Sequence, residues 1–129
     1  MANNNTDQVP PRVLVNRMSD QAVFPFGFIL SSSKTLNIPP NWWDQTEVPT
    51  DLRFIVPVGV SFDIAPIPDV LPQSIKVMGG WISPLKEAPV SVAIVDDSGS
   101  DFEIKAGDQI AWMHTWCAIE PELVDVTTD

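Results

Sequence analysis

Proline is the tightest constraint on what this chain can fold into. Thirteen prolines and six glycines divide the sequence into short runs rich in Val and Ile, the composition of brief strands joined by turns. "RVLVNR" (12–17) and "VFPFGFIL" (23–30) are the first two candidate strands. "SSSKTLNIPP" alternates Leu36 and Ile38 into a double proline that ends the run. "LRFIVPVGVSFDI" (52–64) is a strand broken near Pro57 and Gly59, and "SIKVMGGWIS" turns at Gly79-Gly80. "PVSVAIVD" (89–96) and "FEIKA" alternate, and "QIAWMHTWC" follows a turn at Gly107-Asp108. "NWWDQTEVPTD" (41–51), hemmed in by Pro40 and Pro49, reads as a loop or at most one helical turn. With no amphipathic helix, repeat or linker in view, the expectation is one all-β domain over 1–129. A short N-terminal arm covers about 1–11.

At 129 residues and 44% hydrophobic, the chain is long enough to bury a core and is not a disordered polar segment. Its net charge of -10 repels phosphate backbones, so no nucleic-acid partner is expected. The head "MANNNTDQVPPR" lacks the apolar stretch of a secretory signal, and no run has the length of a membrane span. No membrane partner is expected, and the chain is read as used inside a cell or packaged from one. Cys117 is the single cysteine. It reads as a small buried hydrophobe rather than half of an intramolecular disulfide.

The run from Gln109 to Cys117 is apolar on both sides. Ile110, Trp112, His114 and Trp116 share one face by alternation, and Ala111, Met113, Thr115 and Cys117 share the other. A small domain covers both faces either by packing two sheets or by packing subunits together.

These pieces, taken in order, resemble a known family. "VSVAIVDDSGSDFEIKAGDQIAWM" is similar to the stretch of trimeric dUTP pyrophosphatases that ends in Gly-Asp-Arg-Ile-Ala-Gln-Leu. "GFILSSSKTLNIPP" resembles that family's Gly-Tyr-Asp-Leu segment and the strand ending in Ile-Pro-Pro. "VPVGVSFDIAP" resembles its Pro-Thr-Gly strand, and "LPQS" its Pro-Arg-Ser phosphate motif. "GGWISPLKEAPVSVAI" resembles Gly-Gly-Val-Ile-Asp, Tyr-Arg-Gly and the Val-rich strand after them. The resemblance runs over roughly 12–127. It implies a β-clip, or distorted jelly roll, of the kind shared with dCTP deaminases, and a homotrimer whose sites lie between subunits.

The family's site residues are largely replaced. Ile29 stands where the first motif has Asp, and Gln73 beside Ser74 stands where the second has Arg, without a guanidinium fork for phosphate. Ser83 and Lys86 occupy the positions of the third motif's water-activating Asp and its Tyr. A serine does not replace a carboxylate as general base near neutral pH without a partner to take its proton. Gly107, Asp108, Ile110 and Ala111 of the fourth motif are kept, but Gln109 replaces its Arg and Trp112 its Gln. The glycine-rich fifth motif does not follow "DVTTD". Asp63 and Glu87 are the remaining candidates for a base, with nothing in the sequence to place either beside a phosphate.

Other groups read as structural. His114 lacks companion metal ligands, and a Cys117-His114 pair would straddle opposite faces. Asp96, Asp97, Asp101 and Glu103 lack the spacing of a calcium loop and read as a solvated turn. Trp42 and Trp43 differ, as paired indoles in a polar loop: they either pack against the protein's own body or, where exposed, mark protein contact or sugar stacking.

The expectation is therefore a non-enzymatic, trimeric interaction protein on a dUTPase-like scaffold, of the kind that decorates phage capsids. It would have no catalytic, metal or cofactor residues and no cofactor. Trp42 and Trp43 would bind a partner such as a capsid subunit, and Trp112, Met113 and Trp116 would lie in the trimer interface. Its place would be the virion surface, or else the cytoplasm. The alternatives are a divergent nucleotide pyrophosphatase and a sugar-binding module.

Overall fold

The computed structural model describes residues 9–41, 43–84 and 88–127. Twelve strands run through them: β1 (Arg12–Arg17), β2 (Ile29–Ser31), β3 (Leu36–Ile38), β4 (Thr46–Pro49), β5 (Leu52–Ile55) and β6 (Phe62–Ala65). The rest are β7 (Ile75–Val77), β8 (Trp81–Ile82), β9 (Ser91–Asp96), β10 (Phe102–Ile104), β11 (Gln109–Thr115) and β12 (Glu122–Asp125). They pair as β12-β1-β5, β10-β3, β2-β11-β6-β8 and β4-β9-β7. This is the all-β, distorted jelly-roll architecture that the sequence predicts.

Alternation explains most of the elements. In β1, Val13 and Val15 are fully buried between more exposed neighbours, and β5 buries Leu52 and Phe54 while Arg53 and Ile55 face out. In β6, Phe62 and Ile64 point inward and Asp63 and Ala65 do not. The inward residues join Leu30, Ile38, Val48, Ile82, Ile94 and Met113 in one core that draws on all four sheets.

Three local readings need correction. The segment 41–51 is not all loop, because Thr46–Pro49 forms β4 against β9 with Val48 fully buried. Pro49 is tolerated because it ends an edge strand, and its carbonyl is still used, accepting the Ser33 N–H at 2.9 Å. The run 23–30 is mostly not strand. Gly27 takes a φ of 60°, and Ile29 N–H donates to Phe26 O at 3.0 Å, so a tight turn precedes β2. Finally, a bulge between Gln109 and Ala111 turns both Ile110 and Ala111 inward, so Ile110 does not share a face with Trp112. The parallel pairing of β12 with β1 has no counterpart in the sequence reading.

Candidate functional site

The outer face of the β2-β11-β6-β8 sheet gathers most of the chain's unusual side chains. Pairing places His114 and Trp81 on either side of Asp63, and Trp112 between Ala65 and Ile29. Directly opposed residues of antiparallel strands share a face. Trp112, His114 and Trp116 form an edge-to-face row, with ring centroids 5.0 Å and 4.5 Å apart. At the end of the row, Trp116 Nε1–H donates to Asp63 Oδ2 at 3.2 Å. Asp63 Oδ1 is buried and has no hydrogen-bond partner among the described residues.

Asp63 also lines a cleft of about 480 Å³ with Ile64, Ala65, Pro66, Val77, Met78, Gly79, Gly80 and Trp81. The Gly79-Gly80 pair shapes it. Gly79 and Gly80 have φ of 89° and 151°, which other residues adopt only with strain. Gly80 carbonyl accepts the Ile64 N–H at 2.9 Å, and a Cβ on Gly80 would meet Ile64 Cδ1 at 3.3 Å. Trp81 lies on the cleft wall with 59% of its surface exposed. The cleft thus combines one carboxylate, an indole face and close-approaching backbone, a mixture suited to a small ligand with a flat ring and hydrogen-bonding groups.

The positions read from the family motifs do not converge on one point of this chain. Ser83 lies one residue past β8, half-buried, and is not among the residues lining the cleft. Lys86 and Glu87 lie outside the described residues. Gln73 lines a neighbouring cavity of about 240 Å³ together with Pro66, Val77 and Lys76. Ile29 and Trp112 are cross-strand partners on β2 and β11, outside the cleft lining, and Gln109 faces Ser31. Asp63 is the group whose placement sequence alone does not supply. Its one signal is a charged residue on the outward phase of an alternating strand.

The partner-binding residues divide as well. Trp43 is 71% exposed, and its N–H donates to Asn41 Oδ1 at 3.3 Å; Trp42 lies outside the described residues. Trp112 and Trp116 are exposed as a subunit contact requires. Met113 is not: it is 1% exposed within the chain's own core, opposite Ile64, because it occupies the inward phase of β11. It is removed from the interface.

No protein-family model matches the chain. Individual relatives do. The deoxyuridine 5'-triphosphate nucleotidohydrolase of Oryza sativa subsp. japonica is 33% identical over 127 residues, covering 92% of this chain and 73% of the rice protein. The Arabidopsis thaliana protein of that name is 33% identical over 124 residues, covering 90% and 74%. That of Fowl adenovirus A serotype 1 is 32% identical over 132 residues, covering 95% and 73%. Among solved structures, the dUTPase from phage phi11 of S. aureus superposes with a TM-score of 0.73 at 17% identity, over 86% of this chain and 93% of that one. The dUTPase of Staphylococcus bacteriophage 80alpha gives 0.74 at 16%, over 86% and 93%. Both confirm the β-clip fold.

These relatives overturn the expectation of a non-enzymatic capsid-decorating protein, because they carry an enzyme's name along almost the whole chain. Replaced motif residues were weighed there as lost chemistry. The sequence offered Asp63 as a candidate base with nothing to place it, whereas the fold brings its carboxylate to the cleft. The capsid partner is withdrawn with that role. The virion surface rested on it alone and is not carried forward.

Proposed function

Because the chain belongs to the deoxyuridine 5'-triphosphate nucleotidohydrolase family, we propose that it hydrolyses deoxyuridine 5'-triphosphate, releasing pyrophosphate at the cleft beside β6 and β8. The observation that carries this reading is identity of about one third across nine-tenths of the chain. Within the cleft, Asp63 is the acidic lining residue. Its Oδ2 is held by the Trp116 indole, which leaves Oδ1 in need of a donor. The attacking water supplies one. Its oxygen bonds to phosphorus as the bridging P–O bond breaks, its proton passes to Asp63, and pyrophosphate leaves. Trp81 offers a flat apolar surface to the base. Lys76, in the cavity adjoining through Pro66 and Val77, sets a positive charge against the phosphates. Among the described residues no group of three or more His, Cys, Asp or Glu is placed for a metal ion.

The same reading makes the chain a homotrimer. Trp112 and Trp116 support it, because exposed indoles on a flat sheet face are what a subunit contact covers. The cleft opens at the edge of that face, so a neighbouring copy would complete its walls.

Pyrophosphate release from deoxyuridine 5'-triphosphate in magnesium buffer tests the proposal. The wild-type chain is expected to exceed background, and Asp63→Asn to reduce the rate by about 10² or more with the fold intact by circular dichroism. No release from wild type overturns the activity. An unchanged rate in Asp63→Asn overturns the role of that carboxylate.

A further inference from the structure

The end of β9 carries a buried carboxylate with one oxygen unpartnered among the described residues. Asp96 ends β9 with 1% of its surface exposed. Its Oδ1 accepts the Ser98 N–H at 2.8 Å, whereas Oδ2 is buried and has no hydrogen-bond partner among the described residues. The ion pairs among those residues, Arg12–Glu122 and Arg17–Asp125, do not involve it. A buried carboxylate oxygen left without a hydrogen-bond partner is unfavourable, and it calls for a donor or a cation to satisfy it.

Asp96 also forms part of the wall of a cavity of about 230 Å³, with Pro40, Asn41, Asp97, Ser98 and Gly99. The lining residues carry two carboxylates, a side-chain amide and a hydroxyl, and include no Lys, Arg, His or Cys. Three segments are tied together here. Asn41 N–H donates to Asp96 O at 3.0 Å, and Asp97 N–H donates to Ser74 O at 2.8 Å. None of the lining residues belongs to the Asp63 cleft.

We propose that this cavity binds a hard, oxygen-seeking divalent cation of the calcium class, held by Asp96, Asp97 and Asn41. Zinc-class ions prefer nitrogen and sulfur donors, which the lining lacks, whereas calcium accepts carboxylate, amide, carbonyl and water oxygens in irregular geometry. Two carboxylates place the affinity at the weak end, with a Kd of about 10⁻⁴ to 10⁻³ M. The spacing within 96–103 does not reveal such a site, because Asn41 reaches it from a distant segment.

The test is calorimetric titration of calcium into the chelator-treated full chain, without nucleotide and at about 0.15 M salt to screen diffuse attraction. One saturable site per chain is expected, with a melting temperature that rises at millimolar calcium. Asp96→Asn abolishes the binding heat, and Asp97→Asn, on the exposed side of the site, weakens affinity at least tenfold. Should Asp96→Asn fail to fold, Asp97→Asn and Asn41→Ala decide the matter. Absence of saturable heat overturns the proposal, and so does an affinity within twofold of wild type in both of those variants. An equal affinity for magnesium overturns the calcium-class assignment. Nucleotide is absent throughout, so the result stands apart from that of the hydrolysis assay.

Discussion

Strands β9 and β11 look alike in sequence, yet the fold treats them differently. "SVAIVD" and "QIAWMHT" are both apolar in alternating and intervening positions, and each lies inside its sheet rather than at an edge. In β9 the chain covers both faces, and every residue from Val92 to Asp96 is buried. In β11 it covers one. Ile110, Ala111 and Met113 are buried, while Trp112 keeps 38% of its surface exposed and Trp116, just past the strand, keeps 76%. An apolar face in a sequence shows that something must cover it. It does not show whether the cover comes from the same chain.

The largest effects should fall where the chain provides its own cover. Ile94 and Met113, one from each strand, are fully buried in the common core. Ile94→Ala and Met113→Ala should each lower unfolding free energy by about 2–5 kcal/mol, through lost burial and the cavity left behind. Urea denaturation of the two variants measures this. A loss below about 1 kcal/mol in Met113→Ala would remove it from the core and break the contrast as drawn.

The outer face of β11 should behave in the opposite way. Trp112→Ala is expected to weaken self-association by about 2 kcal/mol or more, the scale of a tryptophan at the centre of an interface. The isolated subunit should lose much less stability than in either core variant. Sedimentation over a concentration series, paired with denaturation of the dissociated chain, separates the two quantities. Unchanged assembly with lowered subunit stability would mean that the indole serves its own chain.

The sequence is legible where chemistry leaves few options. The breaks at Pro57 and at Gly107-Asp108 are where turns occur, and Gly79 and Gly107 take φ of 89° and 92°. Strand β1 spans Arg12–Arg17, the run read from its alternation. Long-range pairing is what stays hidden. β4 is disguised by Pro49 and becomes a strand only because β9 accepts it. The bulge in β11 shifts Ile110 to the inward side, which strict alternation does not anticipate. Asp63 acquires a position only through its pairing with Trp81 and His114. Function was misread for a related reason. Ile29, Ser83 and Gln109 show what the family's motifs have lost, whereas similarity spread along the whole chain shows what the chain belongs to.

The smallest expected effect is electrostatic and lies at the uncovered rim, where β12 runs along β1. Arg17 Nε donates to Asp125 Oδ2 at 3.0 Å, with roughly a third of each side chain exposed. Hydrogen bonding from the Thr127 hydroxyl, then from its backbone N–H, and then the Arg17 charge hold the Asp125 carboxyl below its ordinary value of 3.8. A carboxyl whose folded value is depressed stabilises the fold above its unfolded value, and that stabilisation disappears as pH falls through the lowered folded value. Exposed pairs of this kind contribute at most about 1 kcal/mol, less in salt. Asp125→Asn should therefore melt slightly below wild type near neutral pH. The gap should stay level down to about pH 4 and close below the ordinary value of 3.8. Thermal melts of both chains across that range measure it. A gap that widened on acidification would show that Asp125 is stabilised as the neutral acid, and that this edge is covered more like β9 than like the open face of β11.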